Sequence, residues 1–447
     1  MLKSIAIKGL FGRFDYEIEL KNGGITIITG PNGFGKSTIL KIINAFKNGG
    51  LYQLIGFSYQ TLLMTFDNNQ QFELKKSSEE ISINEIKFHI PSFNNKKSAR
   101  KRGLPSYIER IGPNEYIDLR TRERMLINDS RLRIRGDMYN FDTDDDFFFD
   151  IMDECSTRDN NLAEKELNKI KSVIAVMKKV RSYMPEVKLI KEQRLIEENR
   201  EPQNEFEYSD RAPKIIQVID RIPNDIKKEI ESVLNAHSIL SNQLDSSYPT
   251  KLFSSSEGIT QVEYSEKLKE LTNNQKNLNK YELAEISNIS SVPFNPNYAT
   301  ALKIYFDDSK TKYSVFEPLV KKLETFLSLV NGKLYFKEIF ITKKSGMIVR
   351  DIESKKELSL NQLSSGEQQI IVLYYDLIFG ATGKLFLLID EPEISLHISW
   401  QKELLDDFKR ILEIKKKEIN IVIATHSPQV INENWDLQID LGMKYGN

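Results

Sequence analysis

An aspartate and a glutamate stand side by side at Asp390 and Glu391, directly after the apolar run Leu385 to Ile389. Five apolar residues without polar alternation read as a buried strand, so both carboxylates emerge at its C-terminal end. Such a pair can divide two tasks, Asp390 on a metal shell and Glu391 on a water. A second cluster lies near the start, where Gly30-Pro31-Asn32-Gly33-Phe34-Gly35-Lys36-Ser37-Thr38 fits G-x-x-x-x-G-K-[ST].

The physics of that run points to phosphate. Glycines at 30, 33 and 35 let successive N–H groups face one anion, and a following helix adds the positive end of its dipole. Lys36 would reach the β- and γ-phosphates, and Ser37 would offer a hydroxyl to Mg²⁺. Asn32, Gly33, Gly35 and Thr38 complete the candidate cradle. The context agrees, with a β-branched strand at Gly24 to Thr29 before the loop and a helix at Ile39 to Phe46 after it. The loop Leu363 to Gln369 (LSSGEQQ) adds another anion-friendly end: Ser364 and Glu367 have capping-box spacing, which fixes a helix N-terminus beside Gly366.

The elements that must carry these residues can be read in order. Residues 4 to 7 and 15 to 20 suggest a hairpin around Gly9 and Gly12, and the alternation from Phe57 to Ile90 suggests an antiparallel meander. Between Lys96 and Arg135 stand 12 Lys or Arg against 5 Asp or Glu, which predicts a solvated insertion. An alternative use of that charge is contact with nucleic-acid phosphates through Arg100, Lys101, Arg102, Arg131 and Arg133. Phe141 to Asp150 (FDTDDDFFFD) reads as an acidic surface loop whose phenylalanines could dock a partner.

A helix is expected at Asn161 to Tyr183, then a strand at Val187 to Ile190 leading to Gln193. Gln193 would contact Mg²⁺ or its water if that strand lies beside the strand of the glycine-rich loop. Residues 210 to 290 read as helical, broken at Pro213, Pro223 and Pro249, without sustained heptads. A helix at Phe316 to Leu329 and a hairpin over 333–342 and 346–352 lead back to the LSSGEQQ loop.

Composition bounds the class. The 447 residues are 40% hydrophobic, enough for a large core, and 63 basic against 64 acidic residues give no global pull towards nucleic acid or membrane. A single cysteine, Cys155, excludes an internal disulfide framework and suggests a reducing, cytoplasmic setting. The opening residues lack a signal-peptide pattern, and no apolar stretch is long enough for a membrane span.

GPNGFGKST, Gln193, LSSGEQQ, LFLLIDEPEISLH and ATHSP (Ala424 to Pro428) occur in the order of the P-loop, Q-loop, signature, Walker B with D-loop, and switch histidine of ABC-type ATPases. EPEISLH with ATHSP resembles the SMC/RecF/OLD branch. The opening LFGRFDYEIEL and the run KEQRL are similar to ATPase subunits of bacterial anti-phage systems, the PtuA type of Septu and retron systems and the AriA type of PARIS. The signature departs in one place, with Ser365 where the common form has a second glycine.

The resemblance implies an α/β fold, an ABC-type P-loop ATPase head combining a mixed sheet and an antiparallel meander, with an inserted helical subdomain. It implies lobes at 1–90 and 335–447, a charged insertion at 91–184, a Q-loop segment at 185–200 and a helical insertion at 201–334. It further implies a homodimer or higher homo-oligomer that sandwiches ATP, Ser364 and Gly366 of one subunit reaching the γ-phosphate held by Lys36 of another. Asp390 would bind Mg²⁺, Glu391 would polarise the attacking water, and His426 would contact the γ-phosphate. OLD-type proteins continue into a nuclease domain, whereas 21 residues follow His426 here. The expectation is an ATPase without its own nuclease, acting as sensor, switch or scaffold on a separate effector, a nuclease or toxin, with a phage protein as possible trigger. A DNA-binding clamp of RecF/SMC type and a scaffold with slow turnover are the competing expectations.

Overall fold

The structure, a computed structural model, describes residues 1–21, 24–77, 80–89, 108–110, 115–118, 124–128, 131–134, 160–199, 214–284, 293–380, 384–414 and 419–443. Its first elements are β1 (Leu2–Leu10), β2 (Phe14–Glu19), β3 (Ile25–Thr29), α1 (Lys36–Asn48), α2 (Leu51–Gly56), β4 (Thr61–Phe66), β5 (Gln71–Lys76), β6 (Glu80–Ile83) and β7 (Ile86–His89). Then come β8 (Ile108–Arg110), β9 (Glu115–Asp118), β10 (Arg124–Asn128), β11 (Arg131–Ile134), α3 (Asn160–Arg181), β12 (Glu186–Ile190), β13 (Ile196–Asn199) and β14 (Lys214–Gln217). The helices α4 (Val218–Ser254), α5 (Gln261–Lys280), α6 (Ala299–Ser314) and α7 (Glu317–Asn331) precede β15 (Lys337–Thr342), β16 (Gly346–Asp351) and β17 (Glu357–Leu358). The chain closes with α8 (Ser365–Phe379), β18 (Leu385–Asp390), α9 (Ile398–Ile414), β19 (Ile419–Ala424), α10 (Pro428–Ile431) and β20 (Gln438–Asp440).

Two compact units form: Met1–Ile190 with Lys384–Pro392 and Glu418–Asn447, and Lys191–Gly383 with Glu393–Lys417. In the first, a parallel sheet runs in the order β12-β18-β19-β3-β20. Every residue of β3 and β18 is buried, as the unbroken apolar runs require of parallel strands covered on both faces. The same unit holds the antiparallel sheet β2-β1-β4-β5-β6-β7, whose β4 buries alternate residues as its period of two dictates. Ile5, Ile7, Phe46, Phe66, Phe72, Phe386 and Val422 join the two sheets and α1 in one core. Helix α3 contributes Ile170, Val173, Met177 and Val180, a stripe three to four residues apart.

Two expectations need correction in this unit, and one strand was not foreseen. Strand β12 lies at the sheet edge beside β18, with β18 and β19 between it and β3, so the condition attached to Gln193 is not met. The three-residue β20 pairs with β3 and makes it an interior strand, which no apolar run announced. Within the basic segment, β8 to β11 form an antiparallel sheet where only a solvated, charged insertion was expected. The remainder of that segment, Cys155 and Phe141 to Asp150 lie outside the described residues.

In the second unit, β13 pairs with β14 and β15-β16-β17 form a small sheet. Helix α4 runs unbroken through Pro223 and Pro249, contrary to the expected breaks. An internal proline costs about 3 kcal/mol, and the buried stripe Val218, Ile219, Ile222, Ile226 and Ile230 around Pro223 offsets it. Helix α7 buries Leu319, Val320, Leu323, Phe326 and Val330 along one face, whereas α8 is buried on nearly every side. Among the described residues, no helix is long and apolar enough to cross a membrane.

Candidate nucleotide-binding site

Register brings the chemistry to one edge of the parallel sheet. Asp390 is level with Ala424, and Ala424 with Ile28, so three strands end together. The glycine-rich loop, the Asp390-Glu391 pair and Thr425-His426 therefore leave the sheet side by side. Ligand sites in open α/β sheets form at this carboxyl edge.

The loop bends as its sequence requires. Gly30, Gly33 and Gly35 have φ of 146°, 83° and 90°, a region costly for side chains. At Gly35 a Cβ would sit 2.6 Å from Leu10 Cδ2, so only glycine lets α1 begin there. Asn32 and Gly33 are exposed on the outer turn, and Thr38 is half-buried on α1.

Lys36 is buried at 4% exposure, its Nζ donating to the carbonyls of Gly30 (3.0 Å) and Pro31 (3.4 Å). The same Nζ lies 2.6 Å from His426 Nε2, which is 3.1 Å from Glu391 Oε1. One nitrogen cannot accept from Lys36 and donate to Glu391 at once, so the tautomer of His426 decides which of the two it serves. Ser37 Oγ donates to Asp390 Oδ1 at 2.8 Å. Glu391 itself has φ of 46°, an uncommon conformation for a long side chain, held by its N–H bond to the Ala424 carbonyl at 2.8 Å.

These donors suit ATP and Mg²⁺. A hydroxyl and a carboxylate in mutual contact form a hard oxygen pair of the type Mg²⁺ takes. The positive-φ loop that a Cβ at Gly35 would obstruct presents backbone amides and a buried ammonium to an anion. Beside it, a cleft of about 410 Å³ is lined by Gly30, Pro31, His426, Trp435 and Asp440.

The other predicted residues lie in the second unit. Ser364 is the exposed N-cap of α8: its side chain accepts from Glu367 N–H, and its own N–H donates to Glu367 Oε2 at 2.7 Å. Glu367 is buried and also holds Lys337 Nζ at 2.8 Å, so its carboxylate serves the cap and an ion pair. Gly366 packs where a Cβ would be 2.5 Å from Ser395 O. Gln193 is exposed on the turn after β12. Sequence reasoning missed Lys337 and the buried Arg194, because charged residues in short polar stretches give no sign of burial. It also missed Thr425, fully buried and accepting from Ser427 N–H at 3.0 Å.

A family profile described as AAA ATPase domain matches residues 1–431. Among curated proteins, UvrABC system protein A of Borreliella burgdorferi is 38% identical over 88 residues, 19% of this chain and 8% of that protein. The Treponema pallidum protein of the same description is 26% identical over 150 residues, 34% of this chain and 13% of that protein. The chain thus aligns with a small part of those relatives' length. A solved Smc head domain from Pyrococcus furiosus, with an extended coiled coil and bound to the C-terminal domain of ScpA, aligns over 96% of this chain and 90% of that one. Its identity is 11% and its TM-score 0.35. The fold rests on the strand order and register given above.

Proposed function

From the premise that this chain belongs to the AAA ATPase domain family, we propose that it is an ABC-type ATPase whose Mg²⁺-dependent ATP cycle switches a separate effector in an anti-phage defence complex of the cytoplasm. The observation that carries the ATPase part is the convergence of Lys36, Ser37, Asp390, Glu391 and His426 at one edge of the parallel sheet. The defence part is supported by the resemblance of the motif set to ATPase subunits of such systems.

In this reading the loop amides and Lys36 bind the ATP phosphates, with Asn32, Gly33, Gly35 and Thr38 shaping the cradle. Ser37 and Asp390 hold Mg²⁺, which neutralises phosphate charge when bound. Glu391 takes a proton from the attacking water, and His426, within hydrogen-bond distance of Lys36 and Glu391, steadies charge developing on the γ-phosphate. Ser364, Gly366 and the Glu367-braced cap complete a second subunit's site, so the working form is a homodimer or larger assembly. No nuclease chemistry is assigned to this chain, and the effector, a nuclease or toxin, is a separate protein answering to a phage trigger.

The test is Glu391→Gln. Nucleotide binding should persist while turnover falls about 10² to 10⁴-fold, and the protein should co-purify with its effector when ATP and Mg²⁺ are present. Normal turnover would remove Glu391 from its assigned role. Recovery of DNA in place of an effector, bound in a salt-sensitive way, would favour the clamp reading that the basic residues of 96–135 suggest.

A further inference from the structure

Arg194 follows Gln193 directly and is buried, 6% exposed, an unusual state for a guanidinium. Its Nε donates to the carbonyl of Gln369 at 3.3 Å, in the second turn of α8. The carboxylates of Glu393 and Asp376, both buried, act on its charge. Burial pulls its pKa down to about 10, and Glu393 and Asp376 oppose that fall. The hydrogen bond joins the Gln193 turn to the helix that begins at the Ser364 cap, and the charge of Glu393 relates both to the residues following Asp390 and Glu391 in the chain. A second contact joins two of them independently. Gly366 lies against Ser395 so closely that an added Cβ would stand 2.5 Å from Ser395 O and 3.6 Å from the Trp400 ring.

Interiors packed this tightly move as discrete arrangements and do not deform continuously. A planar guanidinium with several fixed donors suits such a node, since it can serve a carbonyl and two carboxylates together. We propose that Arg194 is a positioning residue, locking the Gln193 turn, the Ser364 end of α8 and the Glu393 turn into one arrangement, so that a change at any of them is passed to the others. The catalytic consequence rests on the reading that the LSSGEQQ loop completes a second subunit's ATP site.

Hydrogen exchange on the full chain tests the positioning itself, comparing wild type, Arg194→Met and Arg194→Lys. Met keeps much of the buried bulk without charge, and Lys keeps the charge without the fork. In Arg194→Met, amides of 364–370 and 393–397 should exchange about tenfold faster or more, with 30–38 and α4 to α6 unchanged and Arg194→Lys intermediate. Unchanged exchange at 364–370 would overturn the proposal. So would uniform loosening of the whole second unit that Arg194→Lys does not lessen. In the turnover assay, kcat should fall about tenfold with KM for ATP held within about twofold; a raised KM at constant kcat would refute the catalytic consequence. If the ATPase reading itself fails, the wild type shows no turnover, and the exchange data alone decide the role of Arg194.

Discussion

Lys36 is a buried ammonium held by two backbone carbonyls and an imidazole, all of which an anion can replace or supplement. Replacing it by alanine removes the one cation on α1's first turn, so Lys36→Ala should weaken ATP binding about a hundredfold or more, read by equilibrium binding of a fluorescent analogue. Lys76 is held differently, its Nζ donating to Ile55 O (2.8 Å) and Phe57 O and lying 3.6 Å from the Tyr59 ring centroid. Burial pulls its pKa from 10.5 down to about 8. The unfolded chain then takes up this proton below about pH 10.5 but the folded chain only below about pH 8. Stability should therefore rise with pH across that window and be flat below it, as far as this group is concerned. Thermal melts of wild type against Lys76→Met from pH 8 to 10.5 should show the rise in the wild type alone. Residue types such as the glycines, Lys36 and the Asp390-Glu391 pair were legible because spacing alone constrains their chemistry. The close approach of Lys36, His426 and Glu391 was not, since its members lie far apart in the chain.

At the scale of elements, stability in the second unit turns on a buried charge network. Lys333, at the end of α7, bridges Asp407 (2.8 Å) and Glu403 (2.6 Å) of α9, and Tyr374 of α8 donates its hydroxyl to Asp407. Burial first, and the Asp407 charge second, push the Tyr374 phenol well above its ordinary pKa, so it stays a donor. Lys333→Met strands Asp407 without its cation and should cost about 3–5 kcal/mol, measured by urea unfolding. Elements with strong apolar patterning, periodic in β4 and α7 and unbroken in the strand at 385–390, follow from the sequence because one face or both must leave water. Helix α4 crosses two prolines because burial elsewhere along it outweighs local propensity, a balance that no local rule reports.

For the whole molecule, the Lys36-Ser37-Asp390-Glu391-His426 cluster and the Ser364 cap fall in different compact units. A composite site between subunits makes a quantitative prediction. Ser364→Arg and Lys36→Ala proteins should each be nearly inactive, yet an equal mixture should regain about a quarter of wild-type turnover, since half the dimers would carry one intact site of two. Absence of recovery in a steady-state assay would argue against shared sites. By itself the sequence determined the chemistry: a glycine loop before a Lys-Ser pair, adjacent carboxylates after an apolar run, a capping box and a histidine after a strand, each set by local spacing and short-range sterics. Only the tertiary structure decided which strand neighbours which, that β12 lies at the edge beside β18 and β20 beside β3, and that Arg194 is buried beneath α8. Those outcomes depend on contacts between segments hundreds of residues apart, where the gain from closing the core outweighs any local preference.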